Sequence, residues 1–228
     1  MSLSPARELP DAFPSRISVH RVNPPPAKTD FVAAALDPID RYKLLTGLVV
    51  PRPIGWIGSV DGAGVRNLAP FSFFNVVSGT PPTVLFSPGR RDGRPKDTLA
   101  NVQQTREFTV NVVSEHVAEA MNATAAAVEP AADEFDLAGL TAAPGAEVGA
   151  PLVAEALANL ECRVDRIVDL GDPPRNSVVF GTVLRIHVAE HVLDGTRVDP
   201  VALRAVGRMA GGAYTRTTDG YFEMERPP

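Results

Sequence analysis

Residues 48–60 and 65–77 are two stretches dense in Val, Ile, Trp and Phe, separated by Asp61-Gly62-Ala63-Gly64. β-Branched and aromatic runs around an Asp-Gly signal predict a β-hairpin. Pro51, Pro53 and Pro70 interrupt the runs. Proline has no N–H for a sheet ladder, so each is expected at an edge, a bulge or a strand end, with nearby backbone groups left for a ligand. A third apolar run covers 83–86. Across 107–113, Phe108, Val110 and Val112 alternate with polar residues, the period of a half-buried strand. Leu160, Cys162 and Val164 alternate in the same way within 156–170, and Gly171-Asp172-Pro173-Pro174 turns the chain into a further strand at 177–192. Two long strands joined by a turn indicate antiparallel pairing.

Helical signals are fewer. Residues 37–45 predict a short helical turn. Residues 96–104 predict a helix, with Asp97 or Thr98 available as its N-cap, and 115–127 another after Ser114. Residues 128–150 combine Ala, Gly, Pro and acids and predict a surface excursion. Its length for a compact domain hints at a segment covering a site or a partner. Pro5, Pro10, Pro14 and Pro24-Pro25-Pro26 predict an extended N-terminal arm over 1–36, either a free tail or a strap over a partner subunit, ahead of one domain at 37–228. Strands outnumber helices, and their alternation is too irregular for a doubly wound sheet.

Composition narrows the function classes. The chain has 228 residues, 44% of them hydrophobic and 21% charged, enough to bury a core without disulfides or metals. A net charge of −5 argues against a general nucleic-acid binder, so the cluster Arg90, Arg91, Arg94 and Lys96 is a local feature. Cys162 is the single cysteine, which rules out an intrachain disulfide and fits a reducing compartment. With no signal-peptide pattern and no apolar run near the roughly 20 residues a membrane helix needs, a cytoplasmic location is expected.

Chemistry-bearing patterns are sparse. His187-Val188-Ala189-Glu190-His191 matches the HxxEH of a zinc peptidase family, but its β-branched surroundings predict a strand. Four residues along a strand hold side chains roughly 13 Å apart, too far to share one zinc ion. Cys162 reads as a small buried hydrophobe. Neither the dinucleotide nor the P-loop glycine fingerprint occurs. The basic cluster at 90–96, just before a helix start, is either a solvated turn or an anion site suited to phosphate.

Five segments in order, PRPIGWIGSVDGAGVRNLAPFSFFN, RRDGRPKDTLAN, FTVNVVS, NSVVFGTVLRIHV and GRMAGGAYTRT, resemble the flavin reductase-like family of FMN-binding split barrels over about 41–225. The resemblance implies a mainly β fold, an FMN-binding split β-barrel with a few peripheral helices, assembled as a homodimer. It places the FMN phosphate at Arg94, Lys96 and Thr98, and Arg52 on the ribityl or pyrimidine side. It sets Asn67, Pro70, Phe71, Ser72 and Asn75 along the flavin, with Ser87 among the cofactor contacts. Arg208 belongs to a C-terminal segment that approaches the pocket across a dimer interface. The activity implied is hydride transfer from NADH or NADPH to bound flavin, with no catalytic side chain and solvent as proton source. His187 is the one residue in a matching segment that stands against that. Two alternatives stay open: an FMN-dependent oxygenase acting on an organic substrate, and a non-catalytic FMN-binding partner of a two-component oxygenase.

Overall fold

The computed structural model describes residues 26–91, 93–129 and 132–224. Seven strands make one antiparallel sheet: β1 (Gly55–Val60), β2 (Arg66–Phe71), β3 (Phe74–Gly79), β4 (Pro82–Phe86), β5 (Glu107–Val112), β6 (Ala158–Leu170) and β7 (Asn176–Val188). Their order is β2-β1-β5-β6-β7-β4-β3, so β2 and β3 are the two edges. Yet only Ser72 and Phe73 separate these edges in sequence. Three steps of chain reach at most about 11 Å, which forces the two edges together and curls the sheet into a barrel. β2 and β3 share no ladder across this seam. The barrel is therefore split, and side chains close it. A Cβ placed on Gly55 would fall 2.6 Å from the Phe74 ring, so glycine on β1 makes room for the ring that packs over the seam.

Alternation along each strand sends one set of side chains inside. Ile57, Val84, Phe86, Phe108, Val110, Cys162 and Val179 fill the barrel, and Leu99 and Val102 of helix α2 (Asp97–Thr105) join them. Phe86 sits between Phe71 and Phe108, with ring centroids 5.2 and 5.1 Å apart. The outer faces of β1 and β2 are covered as well. Trp56 and Leu68 pack with Met121 of α3 (Ala118–Ala123) and Phe135 of α4 (Glu134–Leu137) in a second core. β1 is buried on both faces, which is why its sequence reads as a continuous apolar run.

Several expectations need correction. Residues 48–54 are not strand: helix α1 (Pro38–Leu48) runs to the start of the first expected strand, capped by the Asp37 carboxylate on the Ile39 N–H at 2.8 Å. The expected strand at 65–77 is two strands, broken at Ser72-Phe73 where the barrel closes. The strand expected at 177–192 ends at Val188, and residues Glu190–Val192 form a 3-10 turn. The 128–150 segment is more than a surface excursion, since Phe135, Val148 and Ala150 are buried. The helix expected at 115–127 is a 3-10 turn at Glu115–Val117 followed by α3. Of the N-terminal arm, 1–25 lie outside the described residues, and 26–36 are almost wholly exposed.

Candidate functional site

Two clefts meet along the free edge of β2. The larger, about 820 Å³, is lined by Asn67, Ala69, Pro70 and Phe71 of β2, by Arg94–Thr98 and by the 124–129 segment that follows α3. The smaller, about 230 Å³, takes Ser72, Arg52, Arg208, Tyr42 and Tyr214, and shares Pro70 and Ala125 with the larger.

The free edge of β2 is shaped by two residues. The Leu68 N–H points away from β1 and donates to the Glu134 carboxylate at 3.0 Å. Pro70, two positions on, faces the same way and has no N–H to leave unpaired. Glu134 is buried, and that burial, aided by nearby Asp97 and Asp133, pushes its carboxyl above the ordinary range against the pull of the Leu68 N–H. Arg66 holds the start of α4 through Asp133 at 2.5 Å and Asp136 at 3.2 Å.

At one end of the larger cleft stands the start of α2. Lys96, not Asp97 or Thr98, is its N-cap residue, and no side chain caps it. The N–H groups of its first turn are therefore open to a ligand. Thr98 is buried, and its hydroxyl oxygen accepts from Asn67 Nδ2 at 2.9 Å, which leaves its O–H to donate. Asn67 Nδ2 also donates to Ser59 Oγ at 3.2 Å, as does Asn101 of α2. The network locks the first turn of α2 to β1 and β2, so Asn67 acts by orienting Thr98. Arg94 and Lys96 are exposed beside it and have no acidic partner among the described residues. Arg90, by contrast, points back to the sheet and pairs with Asp169 at 3.1 Å. A phosphate fits this corner, where two cations, one hydroxyl and a helix N-terminus converge, although Asp97, Glu129 and Glu134 also line the cleft.

Of the remaining predicted residues, Arg52, Ser72 and Arg208 come together in the smaller cleft. Asn75 and Ser87 line neither cleft. The strand break sends Asn75 to the opposite edge, where it is exposed and its Oδ1 accepts from the Val76 N–H at 2.8 Å. Ser87 Oγ donates to the Ser177 carbonyl at 2.9 Å. The HxxEH pattern splits between β7 and the turn after it, and His187 bonds Glu161 at 2.7 Å, away from both clefts. Cys162 is buried in the barrel, where burial pushes its thiol well up. Sequence reasoning missed Glu134, Tyr42, Tyr214 and residues 124–129 as lining. The unusual length of the 128–150 segment was the only signal for Glu134 and the end of that wall, while 124–127 fell inside the helix expected at 115–127.

A family model described as a flavin reductase like domain matches residues 47–204. An uncharacterized protein of Deinococcus radiodurans is 45% identical over 208 residues, covering 87% of this chain and 89% of the relative. The crystal structure of nitrilotriacetate monooxygenase component B from Bacillus cereus superposes with a TM-score of 0.85 at 36% identity, over 88% of this chain and 100% of that one. Pseudomonas fluorescens 2-nitrobenzoate 2-nitroreductase gives 0.79 at 30%, over 87% and 96%.

Proposed function

The chain belongs to the flavin reductase-like family, and from that premise we propose an FMN-dependent oxidoreductase that takes its electrons from NADH or NADPH. The observation that carries the reading is the corner of the larger cleft where Arg94, Lys96, Thr98 and the uncapped start of α2 converge. The volume, about 820 Å³, lies in the range of whole small-molecule sites. When bound, flavin supplies two-electron chemistry that no side chain offers.

The chain's part is positioning. Lys96 and Arg94 neutralise the phosphate, and Thr98, held by Asn67, donates to it. Pro70 and Phe71 would form the sheet-side wall for the rest of the cofactor, and residues 124–129, the turn and loop after α3, the facing wall. Glu134 is the one buried carboxyl in the cleft, tied to the Leu68 N–H, and His187 is remote, so the proton that accompanies electron transfer comes from solvent.

The active unit is a homodimer. Ile39, Tyr42, Leu45 and Leu48 of α1 are all exposed, spread over about half of the helix circumference. So many large apolar side chains left exposed on one helix ask for a partner. Because α1 also lines the smaller cleft through Tyr42 and Thr46, the second subunit would sit beside the site. A second reading, in which the protein hands reduced flavin to a separate oxygenase, is favoured by the name of the Bacillus cereus monooxygenase component. Anaerobic mixing of the FMN-loaded protein with NADH and then NADPH tests the main reading. Bleaching of the flavin band with either donor is expected, and a band unchanged by both would end it.

A further inference from the structure

Arg52 and Arg208 face each other across an isolated antiparallel bridge, each backbone N–H donating to the other's carbonyl at 3.0 and 2.8 Å. Directly opposed residues put their side chains on one face, and like charges there repel. Both side chains line the smaller cleft, and no Asp or Glu does.

Arg52 is more than nine-tenths buried, yet each of its partners among the described residues is neutral. Nη1 donates to the carbonyls of Thr46 at 2.6 Å and Val49 at 2.8 Å, at the C-terminal end of α1. Nε reaches Ser72 Oγ at 3.3 Å and Nη2 the Met209 carbonyl at 3.1 Å. The helix terminus eases the charge, and one N–H of Nη2 has no acceptor among the described residues. Arg208 stacks on the Tyr214 ring, 4.5 Å from its centroid, and donates to the Gly211 carbonyl. Its other N–H groups have no acceptor among the described residues. Two opposed cations without a carboxylate are a local conflict of the kind that native structures keep at functional positions.

We propose that the smaller cleft is an anion subsite, in which Arg52 and Arg208 together hold a carboxylate or phosphate of the molecule that exchanges electrons with the flavin. The assignment rests on the oxidoreductase reading above. At about 230 Å³ the cleft falls below the size of a whole-ligand site, so it takes one charged end of a molecule whose remainder lies past Pro70 and Ala125 in the larger cleft. Arg52 is the fixed member, clamped by four bonds, and Arg208 the adjustable one. An anion between them turns repulsion into two charge-assisted contacts.

Calorimetric titration of the FMN-loaded protein tests the subsite with two anions, benzoate for an organic carboxylate and ADP-ribose for the diphosphate of a nicotinamide dinucleotide. Benzamide and adenosine serve as their uncharged controls. At least one anion should bind ten or more times tighter than its control, and the tighter one identifies the source of the charge. Arg208→Met should weaken that anion at least tenfold, and by a larger factor than it weakens FMN. Controls that match their anions, or Arg208→Met that binds the anion as the parent does, would overturn the subsite. The comparison with uncharged controls needs no variant, so it stands even if Arg208→Met does not fold. Failure of the flavin reading shows separately, as an unmodified protein that does not take up FMN.

Discussion

At the level of single residues, the phosphate corner is a division of labour between charge and geometry. Lys96 is exposed and contributes charge, whereas Thr98 is buried and contributes a fixed donor. Lys96→Ala should therefore weaken FMN by about 1.5–3 kcal/mol, the value of a charge-assisted bond, and leave phosphate-free riboflavin nearly unchanged. Fluorescence titration with both flavins measures the ratio, and equal losses would discard the phosphate assignment. The basic cluster and the helix start were legible in sequence because charge and capping residues are local signals. The division between Arg94 and Lys96, which line the cleft, and Arg90, which pairs with Asp169, was not. It depends on β6 and β7, contributed by residues some eighty positions later. Arg52 and Arg208 were both singled out from the motifs, but their direct opposition is a contact between distant segments that no local pattern encodes.

At the level of elements, two carboxylates hold the 133–148 region to the barrel, and they respond to pH in opposite senses. Glu161 on β6 is fully buried. Burial opposes its ionisation, but the N–H of Glu147, His187, and the N–H groups of Ala146 and Val148 outweigh it and hold the carboxyl down to about 2. A folded pKa below the unfolded value gives stability that is present above about pH 4.5 and is lost as pH falls towards 2. Glu161→Gln should cost on the order of 3 kcal/mol at pH 7, and urea denaturation should show a shallower acid limb than the parent. Glu134 behaves in reverse. Its raised carboxyl lowers stability as pH climbs through the folded value, while a glutamine oxygen can still accept from the Leu68 N–H. Glu134→Gln should equal the parent in acid and exceed it once pH has risen past the folded value; lower stability at every pH would contradict this account. Sequence placed β5 and β6 closely, since Phe108, Val110 and Val112, and Leu160, Cys162 and Val164, alternate with polar residues, and it carried β7 four residues past its end. It failed on 128–150, where Phe135 enters the second core from a four-residue helix too short to show a period.

At the level of the whole molecule, the seam joins fold to function. The short Ser72-Phe73 link pulls two sheet edges together, and both clefts lie along β2 beside it. The barrel as a class was readable from strand content and motif order; its closure point was not, because a strand break is invisible when both halves are apolar. The exposed apolar side chains of α1 predict a dimer in sedimentation velocity, and Leu45→Glu should shift it to the monomer. If the second subunit completes the site, FMN affinity falls in the same variant. A monomer with full affinity would separate assembly from cofactor binding.

The treatment of the β2 edge bears on how the chain avoids polymerising. An open strand edge recruits other strands, and a barrel that does not zip shut keeps two such edges at its seam. On β2 the outward N–H of Leu68 is occupied by Glu134, and Pro70 removes the next one altogether. A second molecule arriving edge-on finds no run of donors to pair with, so association is directed to side-chain surfaces that can close on themselves. Pro70→Val restores the missing donor and adds a strand-forming residue. Light scattering during refolding at micromolar concentration should then rise above that of the parent, and scattering that stays level would mean the seam is guarded by something other than its backbone.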